Sequence, residues 1–343
     1  MRIHKLDGLR GIFSLMIVFF HYKSEFSTEV FYSNFIVRQS FIFVDYFFVL
    51  SGFVIALNYN SIGTWSETVN YMKKRIARLF PLLFFTTTFA YLYNAVRFTG
   101  STMSYLQERF LEYLNPVLML NSTPIIGTNS FNPPTWSISA EMIAYMVFGL
   151  ICFLSLKNRK LWFALISIMA LLGLWFVRQQ DADSYGFLRG LLAFNFGCLV
   201  WVLYDAKFKI RWKFEWIIPL VIVLLLYLLN ASSGNLKFWL QVSAVPVFAM
   251  SILLLINSRG SLSRILESKP MQLLGMLSFS IYLNHLIVVK VIPRFMFKYL
   301  EITPVNMYLV TIISIVVVLG YSFVTYKIVE KKGGLLLRQA LKV

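Results

Sequence analysis

Two histidines, two carboxylates and a basic cluster sit within or beside long apolar stretches of this chain. Residues 7 to 22 read Asp-Gly-Leu-Arg-Gly followed by an apolar run that closes on Phe20-His21-Tyr22. As a helix, this stretch places Arg10 and His21 about 16 Å apart along the axis and, at ~100° per residue, on nearly the same face. A charged group and a proton-transfer group aligned on one stripe of an apolar helix are costly unless they are used. Asp45 lies inside Phe43-Val-Asp45-Tyr-Phe-Phe-Val-Leu-Ser51-Gly52-Phe, where a carboxylate needs a partner or a proton. It reads equally as a structural hydrogen bond between helices and as an orienting group for a histidine. Glu141, in Thr135-Trp136-Ser-Ile-Ser-Ala-Glu141, calls for a basic residue on another helix. Tyr282 and His285, three residues apart, share a helical face. In Lys73-Lys74-Arg75-Ile-Ala-Arg78-Leu-Phe-Pro81, Arg75 and Arg78 are neighbours on one face and Lys74 and Arg78 are four apart. Such a cluster ordinarily anchors a span at the cytoplasmic face, and its arginine fork also suits a polyphosphate.

The elements that must position these groups are membrane helices. A hydrophobic fraction of 58% and an aromatic fraction of 17%, with a mean hydropathy of +0.70, exclude an ordinary soluble domain. Ten spans fit the apolar pattern, over about 8–24, 36–57, 79–99, 136–156, 161–177, 185–204, 214–230, 239–256, 272–292 and 306–327. The expected fold is therefore an all-α, polytopic integral membrane helical bundle of about ten transmembrane helices.

The net charge of +17 invites a nucleic-acid reading, but its distribution argues against one. About two thirds of the 32 Lys and Arg residues fall in the N-terminus, the even-numbered connections and the C-terminus, which predicts that both termini are cytoplasmic. The excess charge thus reads as topology and lipid-headgroup contact, with no nucleic-acid partner expected. Residues 1–22 resemble a signal peptide, but no small-x-small site follows, so an uncleaved first span is expected. Cys152 and Cys198 both fall within spans, and neither a disulfide framework nor a metal site is expected.

Residues 23–35 form a short polar connection, and 104–120 reads as an interfacial or re-entrant helix. Thr135, after two prolines, is a plausible helix cap. Asn195 is read as an interhelical bond, while Arg178 and Arg189 either meet an anionic acceptor or snorkel. Residues 1–330 are expected to form one transmembrane domain. A short basic cytoplasmic tail, 331–343, follows, and no second domain is expected after it.

Taken in order, Leu6-Asp-Gly-Leu-Arg10-Gly, the Arg10 to His21 spacing, Asp45-Tyr-Phe-Phe-Val-Leu-Ser51-Gly-Phe, Arg75-Ile-Ala-Arg78 with Pro81, Thr135-Trp-Ser-Ile-Ser-Ala-Glu141 and Ser280-Ile-Tyr282-Leu-Asn-His285 form a set. The set resembles the membrane-bound acyltransferase-3 family, which O-acetylates bacterial surface sugars. The resemblance spans essentially the whole chain. It implies a multi-pass protein of the bacterial inner membrane that uses cytoplasmic acetyl-CoA as co-substrate, with no metal. A polysaccharide or lipid-linked sugar would be the acceptor, with membrane lipids around it. Under it, His21 is the general base or a transient acyl carrier, with Glu141 or Asp45 orienting the ring. Arg10, Lys74, Arg75 and Arg78 would bind the donor, and Trp136, Tyr282 and His285 the acceptor. The competing class is a multi-span transporter or flippase for a lipid-linked sugar or small molecule, because polar residues at mid-membrane also mark substrate pathways. Inverted repeats and matching Gly/Pro-broken helices, which that class favours, are not evident. The acceptor sugar, the acyl length and the oligomeric state have no signature in the sequence.

Overall fold

The computed structural model describes residues 3–22, 31, 33–125, 130–154, 158–178, 185–207 and 214–343. The polar connection expected at 23–35 lies largely outside the described residues, as does 179–184 of the loop between Arg178 and Arg189. The described residues contain helices and no strand. In chain order they are α1 (His4–His21), α2 (Phe35–Gln39), a 3₁₀ turn (Ser40–Ile42), α3 (Phe43–Tyr59), α4 (Trp65–Arg97), α5 (Thr102–Glu108), α6 (Phe110–Val117), α7 (Thr135–Leu154), α8 (Arg159–Val177) and α9 (Gly186–Asp205). There follow α10 (Ile217–Ala231), α11 (Gly234–Asn257), α12 (Ser261–Leu266), α13 (Lys269–Met296), α14 (Pro304–Thr325), a π-helical stretch (Tyr326–Gly333) and α15 (Gly334–Leu341).

Each of the ten expected spans overlaps one of these helices. Among the described residues, 8 helical segments are long and apolar enough to cross a membrane. The other two expected spans, α1 and α10, fall short for identifiable reasons. Lys5, Asp7 and Arg10 crowd the 18 residues of α1, and α10 has only 15 residues. The architecture is an all-α polytopic membrane bundle.

By contacts the chain divides into two compact units, Met1–Val54 with Leu199–Phe323 and Ile55–Cys198 with Val324–Val343. In the first unit α1 runs against α13 at a crossing built from glycines. A Cβ at Gly275 would overlap the Asp7 carbonyl and one at Gly11 would lie 2.6 Å from the Gly275 nitrogen, while one at Gly8 would overlap the carbonyl of Leu266 at the end of α12. Removing those side chains lets the two backbones touch, the usual device of helix pairs that cannot rely on a hydrophobic driving force in lipid. The charges of α1 are paid out onto backbone carbonyls. Lys5 Nζ donates to Ser258 O at 2.5 Å, and Arg10 Nη2 donates to Gly275 O at 2.8 Å. Phe13 stacks on Phe43 at 4.1 Å and meets Tyr46 edge-on at 4.8 Å, so α3 seats its first turn on the middle of α1. Phe248 of α11 closes that aromatic cluster.

In the second unit α4 is longer than its expected span. Thr64 and Glu67 form a capping box that starts the helix well upstream, so Lys73 to Arg78 lie within α4 rather than in a connection. Pro81 lies at the junction of the polar and apolar parts without ending the helix, and the 33-residue helix carries the basic cluster directly into the apolar stretch. Helices α5 and α6 realise the expected helix near 104–120 and pack on α4, where Tyr91 stacks on Tyr113 at 4.7 Å and Thr88 bonds Tyr113 at 3.1 Å. Helix α6 ends in a Schellman-type turn. Leu120 N donates to Asn115 O, Met119 N donates to Pro116 O, and Met119 takes the left-handed conformation at φ 57.

Thr135 is the first residue of α7 rather than its cap, because its hydroxyl is engaged elsewhere. It donates to Asn132 O at 2.7 Å and accepts from Asn121 Nδ2 at 2.9 Å. At the C-terminus, a Cβ at Gly333 would lie 3.1 Å from Pro81, and one at Gly334 3.1 Å from the Ala77 carbonyl. The two glycines thus let the π-helical stretch and α15 lie directly on α4.

Candidate functional site

In the first unit, the Gly-lined crossing of α1 and α13 carries the two histidines toward each other. His21, the last residue of α1, has its Nδ1 3.0 Å from Ile17 O and 3.1 Å from Nε2 of His285. The two rings lie 4.8 Å apart at 50°. His285 is fully buried, and its Nδ1 lies 2.8 Å from Tyr282 O and 3.3 Å from Ile281 O. Both nitrogens of His285 are therefore engaged within the protein. Phe20 packs edge-on against His21 at 4.9 Å.

Tyr282 is buried on α13, with Phe47 of α3 edge-on to its ring at 6.0 Å. Asp45, in the first turn of α3, is 3% exposed. Arg10 bonds the α13 backbone at Gly275 and lies 3.8 Å from Asp7. One of its donors is thus committed to holding α1 on α13. The structure brings His21, His285 and Tyr282 into one cluster on α1 and α13.

In the second unit, α4 presents its basic residues to different partners. The Arg75 guanidinium sits among three tyrosines, with Tyr59 at 5.0 Å, Tyr145 at 5.9 Å and Tyr71 at 6.0 Å from their ring centroids. Its Nη2 donates to the Tyr59 hydroxyl at 2.9 Å. Its Nε and the Tyr71 hydroxyl are buried with no hydrogen-bond partner. Tyr145 donates to Glu141 at 2.5 Å, one turn back on α7, so the cage and the carboxylate are linked.

Arg78 is ion-paired with Glu330 of the π-helical stretch, whose side chain is 1% exposed. The two arginines expected to form one fork therefore meet different groups. Lys74 is half-buried on the same helix, and Lys73 donates to Leu341 O at 3.2 Å, tying the end of α15 to α4.

Trp136 sits at the start of α7, with the Arg189 guanidinium 5.3 Å over its ring. Gly186 on α9 makes room for it, since a Cβ there would lie 2.6 Å from the indole. The hydroxyl of Ser139 donates to Met119 O at 2.5 Å and meets Ser122 Oγ at 2.8 Å, which fixes the preceding loop against α7. Arg178 stacks on Trp175 at 3.5 Å and donates to the carbonyl of that residue at 2.5 Å. Asn195 donates to Leu191 O at 2.8 Å within its own helix, rather than across to another.

Sequence reasoning missed the tyrosine cage, Glu330 and the contact between the two histidines. For the cage one signal was available, since Tyr71 and Arg75 are four apart on α4. Among the described residues there is no group of three or more His, Cys, Asp or Glu side chains able to hold a metal ion.

Comparison with known proteins puts a chemistry to this arrangement. The acyltransferase domain of the acyltransferase-3 family matches residues 3–327. The chain is 24% identical over 291 residues to "Putative acetyltransferase ORF330" of Acidianus two-tailed virus, covering 82% of each protein. It is also 38% identical over 80 residues to "Protein 2 in picA locus" of Rhizobium radiobacter, covering 22% of this chain and 38% of that protein. No solved structure matches. A helical bundle of membrane-spanning length, matched from residue 3 to residue 327, belongs to the acyltransferase-3 family and is a multi-pass membrane acyltransferase.

Proposed function

We propose that this acyltransferase moves an acetyl group from cytoplasmic acetyl-CoA to a hydroxyl of a cell-surface or lipid-linked polysaccharide sugar, in the bacterial inner membrane. The observation that carries the reading is His21, a half-buried imidazole at the end of a helix packed on a second, fully buried histidine, in a chain of this family. His21 acts as general base. It takes the proton of the acceptor hydroxyl as the oxygen attacks the thioester carbonyl carbon, and the C–S bond breaks. The departing thiolate of CoA then takes that proton from the imidazolium, so the base is regenerated and CoA leaves as the free thiol. An acetyl-imidazole on His21, formed and then discharged to the hydroxyl, balances equally well.

The donor's phosphates fall to Arg75 and Lys74. In support, Arg75 Nε and the Tyr71 hydroxyl are buried donors without partners, a costly state that an anionic ligand would relieve. Arg78 and Arg10, engaged by Glu330 and by the α13 backbone, act by holding their helices. Trp136 offers an aromatic face to a sugar ring.

The test is donor and acceptor together. Membranes containing the protein, given acetyl-labelled acetyl-CoA, should yield base-labile label on glycan, absent from membranes of a strain lacking the chain. Structural analysis of the glycan from the two strains would locate the hydroxyl. An unchanged glycan and no base-labile label would reject the reading.

A further inference from the structure

The two rings form an ordered pair whose proton positions follow from their neighbours. Carbonyl oxygens only accept hydrogen bonds. His285 Nδ1 lies 2.8 Å from Tyr282 O, so that nitrogen carries the hydrogen, and in the neutral ring Nε2 carries the lone pair. His21 Nδ1 lies 3.0 Å from Ile17 O and 3.1 Å from His285 Nε2, two acceptors, so it too carries the hydrogen. Two backbone carbonyls on two helices thus agree on one direction of donation, from His21 into His285. The neutral His21 ring then has its basic lone pair on Nε2.

We propose that His285 is a positioning residue that holds His21 as the Nδ1–H tautomer and accepts its Nδ1–H bond more strongly once the ring is charged. The inference rests on the reading of His21 as the base. It assigns to a second, neutral imidazole the orienting role that a carboxylate fills in many acid–base pairs. Because both nitrogens of His285 are engaged within the protein, it acts through His21 rather than on the acceptor. A neutral partner fits the site, since it adds no buried negative charge where the substrate's hydroxyl must approach. When Nε2 of His21 takes the hydroxyl proton, the positive charge reaches Nδ1–H, and its bond to His285 becomes charge-assisted. When the thiolate takes that proton back, the original tautomer is restored.

The test uses the full-length protein in lipid bilayers with ¹⁵N-histidine, which labels only 3 residues. A His4→Gln background leaves the two rings of interest. The expected wild-type spectrum has His21 protonated on Nδ1 and bare on Nε2, with coupling from Nδ1–H of His21 to Nε2 of His285. In His285→Leu, the Nε2–H form of His21 should appear and acetyl transfer should fall roughly ten- to hundredfold, the scale of one hydrogen bond to a charged group. His285→Gln, whose amide oxygen can accept the same bond, should recover most of both. A wild-type His21 protonated on Nε2, or His285→Leu with unchanged tautomer and rate, would overturn the proposal. The spectrum is read without donor or acceptor. A protein that shows the expected tautomers but transfers no acetyl group would therefore sink the acetyl reading and leave the ring assignment standing.

Discussion

Arg78 and Glu330 lie 252 residues apart in sequence and meet as an ion pair whose carboxylate is almost wholly buried. Arg78→Ala should destabilise the protein by about 3 kcal/mol, because it strips the counter-charge from a buried group. A double Arg78→Met/Glu330→Met change should recover much of that loss. The check is a double-mutant cycle of Arg78→Met, Glu330→Met and the double variant on detergent or thermal unfolding, and a double-variant loss equal to the sum of the two single losses would refute the pairing. Arg75 is different in kind, since its cage leaves a donor unsatisfied. Arg75→Ala with Lys74→Ala should raise the KM for acetyl-CoA at least tenfold while leaving the fold intact. An unchanged KM would remove both residues from the donor site. These residues were legible as candidates because ionisable side chains stand out against an apolar background. Their partners were not. Glu330 adjoins the basic tail expected at 331–343, where no apolar contrast marks it, and Tyr59, Tyr71 and Tyr145 read as ordinary aromatics of a membrane protein.

Helices α1 and α13 explain why His21 and His285 meet at all. Each histidine is evident on its own helix, but the sequence carries no direct sign that the two helices are neighbours. The packing is decided by Gly11 and Gly275, whose missing side chains permit a backbone contact that any Cβ would block. Gly275→Leu should therefore force the helices apart, break the His21–His285 bond and abolish transfer. Gly320→Ala, at a position where a Cβ meets nothing within 4 Å, should leave transfer unchanged. Comparable activity in the two variants would show that the crossing does not position the site. The long α4 teaches the same lesson from the other side. Its apolar half was clear from composition, whereas its start depended on the local Thr64–Glu67 capping box, which a search for apolar windows passes over.

At the scale of the molecule, the helical membrane character followed from composition alone, because stretches of about 20 apolar residues have few other uses. The family followed from an ordered set of short motifs, each weak by itself. The division into two compact units had no signature in the sequence, since residues 199–323 join 1–54 through packing rather than through chain continuity. The distribution of Lys and Arg predicts that both termini face the cytoplasm. A fluorescent protein fused after Val343 should fold and glow, and a phosphatase fused there, which needs an exported environment, should stay inactive; the opposite pair of results would invert the topology. The central claim is that His21 performs the proton transfer of an acetyl transfer. The direct measurement is the initial rate of base-labile label transferred from acetyl-CoA by wild-type, His21→Ala and His21→Gln proteins of matched abundance and thermal stability. The account predicts that both variants lose transfer by at least about a hundredfold, the low end of what a positioned general base contributes. Either variant retaining the wild-type rate would contradict it.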